Sequence, residues 1–298
     1  MKRIMRKLTA IILVLCLLGS SLTVFAWDLP SADNPEFSEL FPIPSFLPAP
    51  PDFEPEETLD LSSLAGKSIL FYGDSYTMGY GLEDFSQSWC AMLETEYDMD
   101  ITCWSIHGAT MAQGFFPFYG KGGSFTPICY RPLPEGDFDI IFVNGGSNDW
   151  YCEIPLWDEE NSRNTRTFIG AINTTIDNLQ EAYPHALIVF MTPWVTKGVR
   201  NFHGETTDDY SRVMVDVCSK RDIPCFQAYL PWISHVFADQ ESFRSKYFLT
   251  SSDPWHLNAS GQQYFLPTIA QWLQEQLEIH EREQAVSLSS PIPGAALM

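Results

Sequence analysis

Four short blocks carry residue types suited to acyl transfer. The first is Gly73-Asp74-Ser75-Tyr76-Thr77-Met78-Gly79, where a serine beside glycine, at a strand end that opens towards a helix, exposes its hydroxyl and offers its own N–H. Gly108-Ala109-Thr110 is the second, Gly145-Gly146-Ser147-Asn148-Asp149 the third and Asp253-Pro254-Trp255-His256 the fourth. Together they supply a hydroxyl, an imidazole, a carboxylate and several amide donors, the groups that nucleophilic attack on a carbonyl requires. A serine hydroxyl is a poor nucleophile unless a base removes its proton during attack. Asp253 and His256 stand three apart across a proline-containing turn. That spacing lets the carboxylate meet Nδ1 while Nε2 faces Ser75. Each block alone also has a duller reading: a plain turn for the first, helix-cap chemistry for Asn148 and Asp149, a turn cap for Asp253. Their joint occurrence in order, each after a strand or before a helix, favours chemistry.

The elements that must position these blocks follow from hydrophobic patterning. Lys67–Tyr72, Asp100–Ser105, Asp139–Val143, Ala186–Met191 and Ile223–Gln227 read as five strands. Ser86–Tyr97, Arg166–Tyr183, Thr207–Lys220 and Ser260–Ile279 have helical spacing; in the second, Phe168, Ile169, Ile172, Ile176 and Leu179 form the apolar face and Pro184 stops the helix. Continuous apolar strands alternating with amphipathic helices imply a parallel sheet covered on both faces. The expected fold class is α/β: a three-layer α/β/α sandwich with a central, mostly parallel five-stranded sheet, of the flavodoxin-like kind, over residues 64–280. In such sheets ligands sit at the carboxyl ends of the strands, where all four blocks fall.

On these blocks the chain resembles the SGNH/GDSL hydrolase family, named for Ser, Gly, Asn and His. The family pattern is Gly-Asp-Ser, then Gly, then Gly-x-Asn-Asp, then Asp-x-x-His, and all four occur here in order from Ser68 to about Leu273. Gly79, Gly81, Pro155 and Tyr183-Pro184 extend the match outside the block cores. One departure lies in the second block, where the family often has Asn two residues before its glycine and this chain has Ile106. The resemblance implies a catalytic triad of Ser75, His256 and Asp253. It also implies an oxyanion hole formed by the N–H groups of Ser75 and Gly108 and the side-chain amide of Asn148. It implies no metal and no cofactor. The implied activity is serine ester hydrolysis through an acyl-enzyme on short acyl esters, O-acetyl groups of carbohydrates among them. A lipase or lysophospholipase is the rival within the enzyme class, and a non-catalytic carbohydrate-binding module on the same fold the rival outside it.

Composition bounds the partners. Of 298 residues, 45% are apolar and 18% charged, which excludes a collagen, a coiled coil and a wholly disordered chain. A formal net charge of −21 disfavours nucleic acid and suits neutral or cationic small-molecule or polysaccharide esters. The basic start Lys2, Arg3, Arg6 and Lys7, the apolar run Leu8–Leu18 and the ending at Ala26 read as a signal peptide over residues 1–26, cleaved near Ala26. Its loss removes four basic residues and no acidic one, which takes −21 to −25. The expected product is secreted, without a membrane span after cleavage. Residues 27–63 read as a proline-rich acidic linker and 281–298 as a tail.

Six cysteines remain after Cys16, and their pairing is open. Trp150, Trp194 and Trp255 fall near strand ends, where they either stack on a sugar or pack. His107 beside Gly108 either lines the site or packs. The stretch Met111–Asp137, with four Phe, two Tyr and five Gly, reads as a long loop over the site.

Overall fold

A computed structural model describes residues 60–114, 127–194, 200–230, 241–250 and 253–289. Strands β1 (Ser68–Tyr72), β2 (Asp100–Cys103), β3 (Ile140–Asn144), β4 (Leu187–Met191) and β5 (Cys225–Phe226) form one sheet in the order β2-β1-β3-β4-β5. Every pairing in it is parallel. This is the flavodoxin-like order, with its topological switch between β1 and β3.

Side-chain alternation along each strand splits the interior in two. Ile69, Phe71, Ile140, Phe142, Val189 and Met191 point into one core layer; Leu70, Tyr72, Ile141, Val143, Ile188 and Phe190 point into the other. Such strands must be apolar at every position, which is why they read as continuous runs. Helices α2 (Trp89–Tyr97) and α7 (Ala259–Ser289) cover the first face. Helices α4 (Phe168–Ala182) and α5 (Thr207–Lys220) cover the second. Short helices α1 (Ser75–Met78) and α3 (Ser147–Tyr151) follow β1 and β3, and α6 (Glu241–Tyr247) precedes a small hairpin.

The architecture expected from the pattern is the one observed, with three differences. Residues around Asp253 are a strand, not a turn: β6 (Phe248–Thr250) and β7 (Asp253–Leu257) pair antiparallel outside the main sheet. The last helix runs past Ile279 to Ser289, so the part of the expected tail up to Ser289 is helical. Lys67 Nζ meets Glu281 Oε1 at 2.6 Å, and Gln284 Nε2 donates to the His185 carbonyl at 3.0 Å, which pins this polar extension. The folded region begins before residue 64, with a 3-10 turn at Ser62–Leu64 and Gln274 Nε2 donating to the Asp60 carbonyl at 2.8 Å. The expected leader and most of the expected linker lie outside the described residues, as does much of the Met111–Asp137 stretch. All six remaining cysteines are free thiols. Among the described residues no helix is long and apolar enough to cross a membrane.

Candidate active site

The loop after β1 is shaped by one close approach. A Cβ on Gly73 would lie 1.8 Å from Asn144 Oδ1 and 2.7 Å from Thr77 Oγ1, so only glycine fits there. Asn144 ends β3 and is 1% exposed. Its Oδ1 accepts from Asp74 N at 3.2 Å and from Thr77 Oγ1 at 2.7 Å, while its Nδ2 donates to Asp74 Oδ1 at 2.7 Å. Asp74 caps α1 by accepting from Tyr76 N at 2.9 Å. The carboxyl of Asp74 is fully buried; burial raises its pKa, and the bonds from Tyr76 N and Asn144 oppose that rise. On the far side, Arg131 Nη1 donates to the carbonyls of Gly73 at 3.2 Å and Trp104 at 2.7 Å, tying the loop after β1 to the loop after β2.

This bracing leaves Ser75 at the first position of α1, 5% exposed. His256 Nε2 lies 2.9 Å from Ser75 Oγ, and His256 Nδ1 lies 2.9 Å from Asp253 Oδ2 and 3.0 Å from Oδ1. Strand alternation would put residues three apart on opposite faces. Here the Asp253 side chain accepts from the amides of Trp255 at 3.1 Å and His256 at 3.3 Å, which curls β7 so that the carboxylate meets its own downstream imidazole. An irregular register between Phe248 and Thr250 accommodates the curl.

The expected amide donors belong to the loops around one cleft: Asn148 lines it beside Ser75, and Gly108 follows the lining residue His107. Among the described residues, neither the Ser75 N–H nor the Gly108 N–H has an acceptor. Gly108 takes the left-handed conformation, φ 74°, which a side chain would strain. Asn148 Nδ2 donates to the Ala109 carbonyl at 2.9 Å and to Asp74 Oδ2 at 3.2 Å. Its neighbour Asp149 is buried and accepts from Met111 N at 2.8 Å and Ala112 N at 2.9 Å, which fixes the chain beyond Gly108. Burial pushes the Asp149 carboxyl up to about 7, against the pull of those two amides, with the Asp74 charge adding to the rise.

Ser75, His107, Asn148, Trp150, Tyr151 and His256 are among the residues lining a cleft of about 210 Å³. Two larger clefts, about 340 and 440 Å³, lie around Tyr183 and His280 at the opposite end of the sheet, where the strands begin. Neither brings a nucleophile to a base, so the small cleft is the one where chemistry can occur. Of the five residues proposed from the sequence, Ser75, Asn148 and His256 line this cleft, Asp253 joins it through His256, and Gly108 follows the lining residue His107. Of the three tryptophans, Trp194 is 1% exposed; it stacks on Tyr76 and donates to the Trp255 carbonyl, which makes it packing. Trp150 and Trp255 line the cleft but lean on each other. The exposed rings at the cleft are Tyr80, 41% exposed and packed on His256, and Tyr151, 60% exposed. Sequence reasoning passed over Asn144, Tyr80 and Arg131. Only Asn144 left a signal, as a polar residue closing an otherwise apolar strand. Among the described residues no group of three or more His, Cys, Asp or Glu is placed to hold a metal ion.

A flavodoxin-like sheet with serine, imidazole, carboxylate and free amides gathered at its switch point defines the class as hydrolase. The profile of the GDSL-like Lipase/Acylhydrolase family matches residues 71–264, and the chain belongs to that family. One solved structure is 26% identical, with a TM-score of 0.61, over 72% of this chain and 98% of that one. A protein from Lactobacillus plantarum is 22% identical, with a TM-score of 0.53, over 72% of this chain and 98% of its own. A GDSL-like lipase assignment from Bacteroides uniformis is 17% identical, with a TM-score of 0.51, over 72% of this chain and 99% of its own. No curated protein matches the chain.

Proposed function

We propose that the chain is a carboxylic ester hydrolase working through an acyl-enzyme on Ser75, acting on short acyl esters including O-acetyl groups of carbohydrates. The continuous relay from Asp253 through His256 to Ser75, at 2.9 Å on each side of the imidazole, carries this reading. Ser75 Oγ attacks the carbonyl carbon as its proton passes to His256 Nε2. Asp253 holds the ring by Nδ1 and balances the imidazolium that forms. The oxyanion takes the two unpaired N–H groups of Ser75 and Gly108, and Asn148 adds a third donor once its longer contact, to Asp74, gives way. His256 then hands its proton to the leaving alcohol, and water releases the acid by the same steps in reverse.

The size of the cleft favours small acyl groups. About 210 Å³ is less than the roughly 300–1,000 Å³ that drug-sized ligands occupy. The net charge of −21 favours neutral alcohol portions over anionic ones. Residues 1–26 are proposed as a cleaved signal peptide and the protein as exported, on the basic start and apolar run. Hydrolysis of p-nitrophenyl esters from acetate to palmitate tests the activity: rates highest on acetate and absent in Ser75→Ala support it. Rates rising with chain length move the substrate to lipid, and folded protein inactive on every ester overturns the reading.

A further inference from the structure

Among the described residues lining the cleft, His107 is the one histidine that the mechanism above does not use. Its ring stacks face to face on Tyr80, with centroids 4.0 Å apart and planes 7° from parallel. Tyr80 in turn packs on His256 at 4.6 Å, and the two imidazoles lie 6.3 Å apart, so the three rings form one cluster on the base's side of Ser75. Stacking fixes the orientation of the His107 ring, yet among the described residues its nitrogens make no hydrogen bond. A solvent-accessible imidazole held rigidly by its face, with both nitrogens unclaimed at the mouth of the cleft, is placed to meet a ligand.

The side of the cleft and the charge state identify what it meets. His256 delivers its proton to the leaving alcohol, so the alcohol portion of the ester lies on the side of His256 and hence of His107. Partial burial, and then repulsion from His256, lower the pKa of His107; Asp74 and Asp253 pull the other way. A neutral imidazole has one N–H donor and one acceptor nitrogen. A hydroxyl, which both donates and accepts, can use either. A carboxylate could use only the donor, and the −21 chain repels it. The 6.3 Å between the imidazoles leaves room for the leaving oxygen on His256 and a neighbouring hydroxyl on His107, each at an ordinary hydrogen-bond distance.

We propose that His107 is a specificity-determining residue that hydrogen-bonds a free hydroxyl of the leaving alcohol, so that the protein selects esters of polyols, sugars included, over esters of simple alcohols. This rests on the ester-hydrolase reading of the same cleft. The matched pair glycerol monoacetate and propyl acetate shares an acyl group and a three-carbon alcohol and differs in hydroxyls. The measured quantity is the ratio of their kcat/KM values in the wild type, in His107→Phe, which keeps a stacking ring without donor or acceptor, and in His107→Gln, which keeps both without the ring. A neutral hydrogen bond corresponds to roughly a tenfold change. The ratio is expected to favour glycerol monoacetate in the wild type, to fall about tenfold in His107→Phe and to recover in part in His107→Gln. A ratio that stays fixed in His107→Phe while an active, Ser75-dependent enzyme is measured overturns the inference alone. Wild-type protein inactive on both esters overturns it together with the reading on which it rests.

Discussion

Ser75 and His256 reach the same cleft from two differently built regions. The nucleophile loop grows out of the centre of the parallel sheet. It is braced from below by Asn144 and from the side by Arg131, with Gly73 allowing the approach of the strand beside it. The base and its carboxylate sit on a two-stranded antiparallel hairpin outside that sheet, oriented by bonds that the Asp253 carboxylate accepts from backbone amides within β7. One half of the relay is therefore fixed by tertiary packing and the other by short-range hydrogen bonds. Substitutions at the nucleophile's supports should couple to global stability, and those at the base's carboxylate to catalysis alone.

The largest effect tests the reacting atoms themselves. Ser75→Ala or His256→Ala should each lower kcat about 10⁶-fold, and the double variant should lose little more, as expected of groups acting as a unit. Asp253→Asn should cost about 10⁴-fold in kcat while the unfolding midpoint stays near wild type, since the bonds it makes are local to β7. An unfolding midpoint lowered as far as by a core substitution would break the contrast between the regions. Asn148→Ala should lower kcat by about 10²–10³ with KM nearly unchanged; a change confined to KM would mean that Asn148 binds the ground state. Gly73→Ala should lower the unfolding free energy by about 3 kcal/mol, read from denaturant midpoints, because its methyl group would overlap Asn144.

The last effect is a pH dependence. Asp149 is raised in the folded state to about 7, so the native protein binds a proton there that the unfolded chain has already lost. Its contribution to stability is therefore full below about pH 4 and is lost as the pH rises through 7. Stability measured between pH 4 and 7 should decline with pH more steeply in the wild type than in Asp149→Asn. Equal slopes would place the charge elsewhere.

The sequence showed those parts of this arrangement that are written locally. The inner strands β1, β3 and β4 announce themselves because burial on both faces demands apolar side chains along them, as in Ile140–Val143. Helix α4 announces itself by Phe168, Ile169, Ile172, Ile176 and Leu179, all buried. The five proposed site residues were visible because they belong to short blocks beside those elements. Hidden were features that depend on distant partners. Phe248–Thr250 is too short to register as a strand, and Asp253-Pro254 carries a turn signature that β6 pairing overrides. The end of α7 has no apolar period and is held by Lys67 and the His185 carbonyl. Arg131 looks like any loop arginine until folding buries it against two carbonyls.

Peptide mapping by mass spectrometry after reaction with an alkyl phosphonofluoridate tests the acyl-enzyme on Ser75 most directly. The account predicts one label per chain, on the peptide containing Ser75, strongly slowed in His256→Ala and absent in Ser75→Ala. A folded protein that stays unlabelled, or one labelled on another residue, would contradict it.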